Sequence, residues 1–414
     1  MTHPGCNTNY WFDETFLDEI ERIVIWVKRQ TEHILVVVVQ IADKFDEGLR
    51  ALNLGSRYSG STSGSIEWVF ALVEPLAQEI RDQLVREVGP SQRVPEILAG
   101  VNDDSTFNAI ALPSPIGGYI IAVNYGALIL LHDLVHRLFC LPEFFPWVGD
   151  PSKEDRNRQF HPTCNDALVY MRKVIADPRG ARPRERRREL AAVALIPLAV
   201  MFLVAHEFRH IIGGHLDWLK THYGKVSISE ILGIEGDPHD GLALQALEMD
   251  ADEFAMYYTL MRALQIASRP EEDVSPSYRG IITTPLQALQ AVLACALVMI
   301  GTFFRPPGPP EEWRTYSHPP SGVRHGMNVL GADGALQSLG QEDLRATTTA
   351  NQEWLALNAR FTLSHLAQRL GNTDRQEGLR LELGPRGQQH LLEIFQSWGR
   401  IRNEVSACAS ELLK

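Results

Sequence analysis

The spacing of apolar residues predicts helices in the first hundred residues of the chain. Phe12 to Lys28 and Trp68 to Val88 carry apolar side chains every three or four positions, the period of an amphipathic helix. The Ser/Gly-rich stretch from Gly55 to Gly64 predicts a loop between them. The run from Ile34 to Val39 is mostly β-branched, and its periodicity leaves a strand and a helix segment equally open. We therefore expect residues 1–100 to form a helical N-terminal region.

The pattern changes at about residue 101, where two short apolar stretches predict strands. These are Phe107 to Leu112 and Tyr119 to Asn124. The residues between them are typical of a connecting loop, namely Pro113, Ser114, Pro115, Gly117 and Gly118. A helix is expected from Ala127 to Phe139. Residues 143–190 are rich in Pro, Arg and Asp, and predict irregular structure with one helix near Asp166 to Ile175.

Three longer apolar segments predict buried or half-buried helices. Residues 191–214 form the first, and Gly213-Gly214 supplies the left-handed exit that many helices use. Residues 241–267 and 286–304 form the other two, and the chain from about 331 predicts a helical tail. Together these elements predict an α+β fold, mainly helical, with a small mixed sheet packed on the first of these helices. We expect three regions, which span 1–100, 101–330 and 331–414.

Two of the apolar runs raise the question of a membrane span. Ala191 to Ala205 and Ala291 to Phe304 are shorter than the ~20 residues needed to cross a bilayer, so both predict buried helices. The first residues lack the basic start and apolar core of a signal peptide. Five widely spaced cysteines predict reduced thiols rather than a disulfide framework. We therefore expect a cytoplasmic protein without membrane contact.

Composition narrows the classes of partner. Apolar residues make up 45% and charged residues 22% of the 414 residues, as in an ordinary folded protein. The net charge of −12 argues against nucleic-acid binding, because phosphate neutralisation needs basic patches. The one Arg-rich run, Arg182 to Arg188, is predicted to be a solvated segment before a helix. These properties leave the oligomeric state open.

A candidate metal site lies at the end of the first long apolar helix, in the HExxH sequence from His206 to His210. Helix positions i and i+4 share one face, so the two imidazoles can converge on one ion. Zinc binds histidine nitrogens at roughly 2.0–2.1 Å. Glu207 lies beside that face, where its carboxylate can accept a proton from an attacking water. The alternative is two histidines satisfied by hydrogen bonds, but a buried cluster of this kind without a metal leaves charge uncompensated.

The third ligand decides the subclass of such a site. A third histidine ten residues after the first is absent, because that position is Leu216 and His215 lies one residue short. Glu248 on the following helix is the better candidate, although its segment taken alone resembles an acidic, solvated helix face. Asp252 lies four residues further along, where it can hydrogen-bond the distal nitrogen of a ligand histidine. We expect one Zn²⁺ ion, with the ligands His206, His210 and Glu248.

These motifs give the chain a resemblance to a known family. HExxH followed by Glu-x-x-Ala-Asp-x-x-Ala is similar to the gluzincin peptidases that include the prenyl-protein (CAAX) endopeptidases, their bacterial heat-shock relatives and the soluble minigluzincins. Asn108 to Ala111, followed by Tyr119 to Gly126, resembles the strand pair that precedes the zinc helix of that family. Ser317 to Arg324 resembles its Ser/Thr-His-Pro-x-x-x-x-Arg motif. The resemblance covers about 101–330 and implies a zincin-like core that hydrolyses peptide bonds of a protein or peptide substrate.

The resemblance also implies roles for individual residues. Glu207 would be the general base, and His318 and Arg324 would stabilise negative charge on the former carbonyl oxygen. Arg324 has the alternative of pairing with Asp252. The second strand has two open interpretations. It is either ordinary sheet structure or an exposed edge that binds an extended peptide through Tyr119, Ile120, Ile121, Ala122 and Val123.

The chain departs from the family pattern in two places. Arg209 stands where glycine is common, and Asp150 to Glu189 resembles an insertion before the zinc helix. Arg209 and Gly213-Gly214-His215 give a second, local likeness to the phage-exclusion peptidase Lit. The rival function from another class is a non-catalytic zinc-containing scaffold or interaction protein.

Overall fold

A computed structural model describes residues 44–58, 66–89, 93–155, 182–224, 228–229, 238–270, 274, 278, 280–302, 309–350, 382 and 384–412. These residues form a mainly helical α+β fold with a small mixed sheet, which confirms the predicted fold class. Three predicted elements, Phe12 to Lys28, Ile34 to Val39 and Asp166 to Ile175, lie outside the described residues, as does part of the loop predicted at Gly55 to Gly64.

The sheet has the strand order β1-β3-β2-β4 within the described residues. β1 (Ile97–Asn102) pairs in parallel with β3 (Tyr119–Asn124), and β2 (Ala109–Pro113) pairs antiparallel with the other side of β3. β4 (Ile228–Ser229) adds two residues beside β2. Gly117 and Gly118 have positive φ angles in the β2–β3 connection. The two predicted strands and their loop are therefore confirmed.

The N-terminal region is only partly helical. Residues 44–51 are helical, Glu67–Phe70 is a single turn, and α1 spans Val73–Val88, so a turn interrupts the predicted 68–88 helix. β1 corrects the prediction that residues up to 100 are helical. Its short apolar sequence fits a strand as well as a helix segment, and pairing with β3 selects the strand. Side chains from α1, the sheet and later helices share one hydrophobic core.

β3 is an interior strand, so the prediction of an exposed, peptide-binding edge at Tyr119, Ile120, Ile121, Ala122 and Val123 is wrong. Both of its sides are already paired, one with β1 and one with β2. Its side chains from position 120 to 123 are fully buried. An unbroken apolar run is typical of a strand that is covered on both faces, whereas an edge strand usually alternates with polar residues.

The remaining helices lie mostly C-terminal to the sheet. In the described residues they are α2 (Tyr125–Phe139), α3 (Arg186–Ile212), α4 (His215–Tyr223), α5 (Pro238–Ala267), α6 (Pro285–Thr302), α7 (Ser321–Ser338), α8 (Glu342–Ala350) and α9 (Pro385–Leu412). α3 packs against α2, α5 and α6 in the core, and α9 packs against α4, α5 and α7. α7 crosses the region boundary predicted at 330, because one continuous helix carries residues from both sides of it.

α3 is the central helix of the core. Its length and apolar composition would allow it to cross a membrane, and no other helix of the described chain meets both criteria. In this fold, 89% of its most apolar window is buried. The side chains from Ala191 to Ala205 are almost completely covered. This confirms the prediction of a buried helix and explains why α3 is apolar on all faces.

Arg188 anchors the first turn of α3. Its side chain is fully buried, which corrects the prediction that the whole Arg182–Arg188 run is solvated. Its five N–H groups donate to five carbonyl oxygens at the end of α2 and in the segment that follows it, so burial of the guanidinium is compensated. The acceptors are Phe139 at 2.9 Å, Leu141 at 2.7 Å, Phe144 at 2.7 Å, Phe145 at 3.1 Å and Val148 at 3.1 Å.

Candidate metal centre

The three predicted ligands meet between α3 and α5. His206 and His210 lie one helical turn apart on α3, and their Nε2 atoms are 3.1 Å apart. Glu248 on α5 faces both rings, with Oε2 3.3 Å from His206 Nε2 and Oε1 3.4 Å from His210 Nε2. All three residues are at most 1% exposed. The helical period thus places the two imidazoles on the face that contacts α5.

The separations of these atoms fit a tetrahedral metal ion. Ligand atoms that lie about 2.0–2.2 Å from a tetrahedral ion are about 3.3–3.6 Å from one another. The two distances from Glu248, 3.3 and 3.4 Å, lie in that range, and the distance between the two Nε2 atoms, 3.1 Å, is slightly shorter. Within the described residues, neither carboxylate oxygen of Glu248 has a hydrogen-bond partner of good geometry, although both are buried. A buried His-His-Glu group of this kind can hold a metal ion.

Asp252 orients the first of the two imidazoles. Its Oδ1 lies 2.8 Å from Nδ1 of His206, so the Nε2 atom of that ring faces Glu248. This is the contact expected from the four-residue spacing between Glu248 and Asp252. Asn328 on α7 also donates to Asp252 Oδ2, at 3.2 Å. The carboxylate is therefore held in place by α7 while it holds the ring of His206 on α3.

Arg324 contacts Asp252 rather than the open side of the cluster. Its Nε donates to Oδ2 at 2.8 Å and its Nη2 donates to Oδ1 at 2.9 Å, which is a bidentate pair. Its Nη2 is 3.7 Å from Glu248 Oε2. Of the two roles considered for Arg324, this geometry favours orientation of Asp252 over direct stabilisation of a carbonyl oxygen.

His318 lies at the border of the cluster. Its Nε2 is 3.5 Å from Glu248 Oε2, and its Nδ1 is 2.8 Å from the hydroxyl of Ser317. It is 9% exposed, more than any of the three ligands, and it is not part of the group that can hold the ion. Gln245 on α5 fixes the preceding segment, because its amide donates to the carbonyls of Trp313 at 2.7 Å and Tyr316 at 2.9 Å.

Glu207, the predicted general base, is buried on α3 directly after His206 and is 1% exposed. The structure therefore keeps this carboxylate away from bulk solvent. The position is compatible with the role that the sequence predicts for it.

The sequence predicted no supporting role for three residues around His210. Nδ1 of His210 is 2.9 Å from Nδ1 of His215, and Nε2 of His215 is 3.0 Å from Asp250 Oδ2. Arg209 binds Asp250 through Nε at 2.5 Å and Nη2 at 3.1 Å. The available signal is Asp250 itself, the first acidic residue after Glu248, which the sequence alone indicates only as part of an acidic helix face.

Burial and neighbouring charges set the ionisation states of the cluster. Burial lowers the pKa of His210 to about 4, so its imidazole is neutral near pH 7, the form that binds metals. Burial opposes ionisation of Glu248, but the imidazoles of His318, His210 and His206 outweigh it and hold the pKa of Glu248 well below its usual range. Burial also opposes ionisation of Asp252, but the charge of Arg324 outweighs it and keeps the pKa of the Asp252 carboxyl below its usual value.

Comparisons with known proteins give no assignment. No protein-family model, curated protein or solved structure matches this chain.

Proposed function

We propose that the chain is a zinc-dependent endopeptidase that hydrolyses peptide bonds of a protein or peptide substrate. The observation that carries this proposal is the convergence of His206, His210 and Glu248 at separations of 3.1–3.4 Å beside the buried carboxylate of Glu207. Three protein ligands leave one tetrahedral position for water or substrate, which is typical of catalytic rather than structural zinc. The HExxH sequence supplies the base next to the first ligand.

The residues of the chain would divide the reaction between them. Zinc held by the His-His-Glu group would polarise the peptide carbonyl and lower the pKa of water towards ~7. Glu207 accepts a proton from the attacking water on its carboxylate and transfers it to the leaving nitrogen. His318 donates from Nε2 to the oxygen that becomes negative. Arg324 does not contact the substrate but holds Asp252 against His206 and so positions that imidazole.

One observation favours a second candidate, a non-catalytic zinc-containing scaffold. All three ligands are at most 1% exposed, and a structural metal site is normally closed to solvent. Endopeptidase activity requires that the substrate reaches the ion, and His318, at 9%, is more exposed than the three ligands. The two candidates differ in whether the parent chain cleaves peptides, while both require bound zinc.

The Glu207→Gln variant separates these candidates. We expect it to retain zinc, because the substitution leaves all three ligands intact, and to lose cleavage of a peptide library by at least ~100-fold. Glu189→Gln, the same substitution near the other end of α3, is the matched control and should cleave like the parent. Cleavage is measured by N-terminal sequencing of the products, and zinc by elemental analysis. Equal cleavage by Glu207→Gln and parent contradicts the mechanism, and zinc without cleavage by the parent favours the scaffold.

We also propose a cytoplasmic location. Cys140, Cys295 and Cys408 are free thiols, which is compatible with a reducing compartment. Recovery of the full chain in the soluble fraction without detergent is the expected result. Recovery only in the membrane fraction would contradict it.

A further inference from the structure

We infer that His215 is a positioning residue: it holds the ring of His210 so that Nε2 of His210 faces the metal. Asp250 and Arg209 in turn hold His215 in place. The inference rests on the proposed zinc site. His215 is the first residue of α4, and its ring turns back onto the ring five positions earlier in the chain. The two Nδ1 atoms are 2.9 Å apart, which is hydrogen-bond distance.

The direction of these hydrogen bonds follows from the ligand role of His210. Nε2 of His210 needs its lone pair for the metal, so the ring carries its proton on Nδ1. That proton is donated to Nδ1 of His215, which must therefore be the unprotonated nitrogen of a neutral ring. The proton of His215 then lies on Nε2 and is donated to Asp250 Oδ2 at 3.0 Å. Each ring thus has a single tautomer that satisfies both of its nitrogens.

Arg209 completes the chain of contacts. Its guanidinium binds both oxygens of Asp250, and it also lies over the ring of Phe254 at 5.5 Å from the centroid. This gives a physical role to the residue that departs from the glycine of the gluzincin pattern. An arginine here fixes the carboxylate, the carboxylate fixes His215, and His215 fixes the ligand ring.

The two glycines before α4 make this arrangement possible. A Cβ at Gly213 would lie 2.8 Å from Nε2 of His215 and 2.6 Å from the carbonyl of Arg209, so a larger residue would displace the imidazole. Gly214 has φ of 76°, the left-handed conformation that reverses the chain between α3 and α4. The sequence Gly213-Gly214-His215 is therefore required for the position of the ring.

Both ligand imidazoles are held by the same kind of support. His206 is held by Asp252 and Arg324, and His210 is held by His215 with Asp250 and Arg209. The two supporting carboxylates follow Glu248 by two and four residues on α5. Hydrogen-bond partners of this kind typically change metal affinity about 10- to 100-fold when they are removed.

The first test measures zinc dissociation constants of the full chain by competition with a chelator. We expect His215→Ala to bind zinc about 10- to 100-fold more weakly than the parent. His222→Ala is the matched control, because it lies on the same short helix with an exposed side chain. It should bind zinc like the parent. Thermal melting of the metal-free proteins checks that His215→Ala is folded.

The second test observes the N–H protons of the ligand imidazoles directly and uses cobalt(II) in place of zinc. Proton NMR of the parent should show two shifted N–H signals that exchange slowly with water, one from Nδ1 of each ligand imidazole. In His215→Ala the signal of His210 should exchange fast while that of His206 is retained. Gly213→Ala should give the same selective change if His215→Ala does not fold.

The outcomes separate this inference from the proposed function. The zinc site stands if the parent binds zinc and Glu248→Ala does not. If His215→Ala then keeps the zinc affinity of the parent and both protected signals, the role of His215 is overturned. No zinc binding by the parent overturns both. Weaker binding with loss of one protected signal supports the inference.

Discussion

Replacing Arg188 with methionine is expected to destabilise the fold strongly, because five buried carbonyl oxygens would lose a charged donor. Methionine retains most of the volume of the side chain, so the principal loss is hydrogen bonding rather than packing. A hydrogen bond to a charged group contributes about 1.5–3 kcal/mol, and a buried acceptor left without a partner costs about 1–3 kcal/mol. Among the described residues, Phe139, Phe144 and Val148 would be left without a donor, which costs roughly 3–9 kcal/mol in a simple sum. Leu141 and Phe145 would keep the backbone N–H groups of Phe144 and Val148 and lose only a charged hydrogen bond each, roughly 3–6 kcal/mol together.

The segment after α2 can turn some of these carbonyls towards water, so the observed loss will be smaller than the sum. We expect the free energy of unfolding to fall by at least about 4 kcal/mol, a large part of the roughly 5–15 kcal/mol typical of a folded domain. Lysine has three donors and cannot reach all five acceptors, so Arg188→Lys should lose about half as much. Arg187→Met, at the exposed neighbouring position, should change stability by less than ~0.5 kcal/mol.

Urea unfolding followed by circular dichroism measures these differences. A loss of less than ~1 kcal/mol in Arg188→Met, similar to that in Arg187→Met, would refute the reasoning that the five contacts anchor α3.

Three further predictions concern other parts of the fold. Burial raises the pKa of Glu382 to about 7 from 4.5, so the folded chain binds more protons in this range and its stability should fall as pH rises from 4.5 to 7. Urea unfolding should show that the free energy of unfolding falls by roughly 3 kcal/mol over this pH range. The same pH dependence in Glu382→Gln would show that Glu382 is not its cause. Gly214→Ala should unfold at much lower urea than Gly224→Ala, since both have positive φ but only the Cβ at 214 meets backbone of α9, at 2.4 Å. Equal midpoints would argue against that contact. Asp252→Asn should weaken zinc binding about 10-fold or more by releasing His206, and unchanged affinity in chelator competition would exclude that support.

The centre of the candidate metal site could be predicted from the sequence because it depends on helical periodicity. The four-residue spacing of His206 and His210 fixes a shared face wherever the helix lies. Glu248 and Asp252 follow the same rule on α5, and only the packing of α5 on α3 had to be assumed. The long apolar sequence before His206 already indicated that this packing would be buried.

The supporting contacts around His210 could not be predicted, because they depend on a change of chain direction. Gly213 keeps a helical conformation and Gly214 is left-handed, and this combination alone turns His215 back onto α3. The two glycines predicted an exit from the helix, but not the direction of the side chain that follows. Asp250 then contacts His215 from a different helix, 35 residues later in the chain.

The pairing of the strands could not be predicted from the sequence either. The apolar run of β3 predicts a strand but not its neighbours, and its partner β1 lies in a stretch predicted to be helical. An edge position therefore stayed open for a strand that lies in the middle of the sheet. Burial of Arg188 could not be predicted for a similar reason, since the acceptors of its guanidinium lie 40–49 residues away along the chain.

The zinc content of the purified full chain, measured after dialysis against a weak chelator, tests the central claim most directly. We expect one zinc ion per chain in the parent and in Glu253→Gln, an exposed glutamate on the same helix. Glu248→Ala should retain far less, because a carboxylate that faces both imidazoles is lost. Equal zinc in all three proteins, or none in the parent, would contradict the assignment of this cluster as the metal centre.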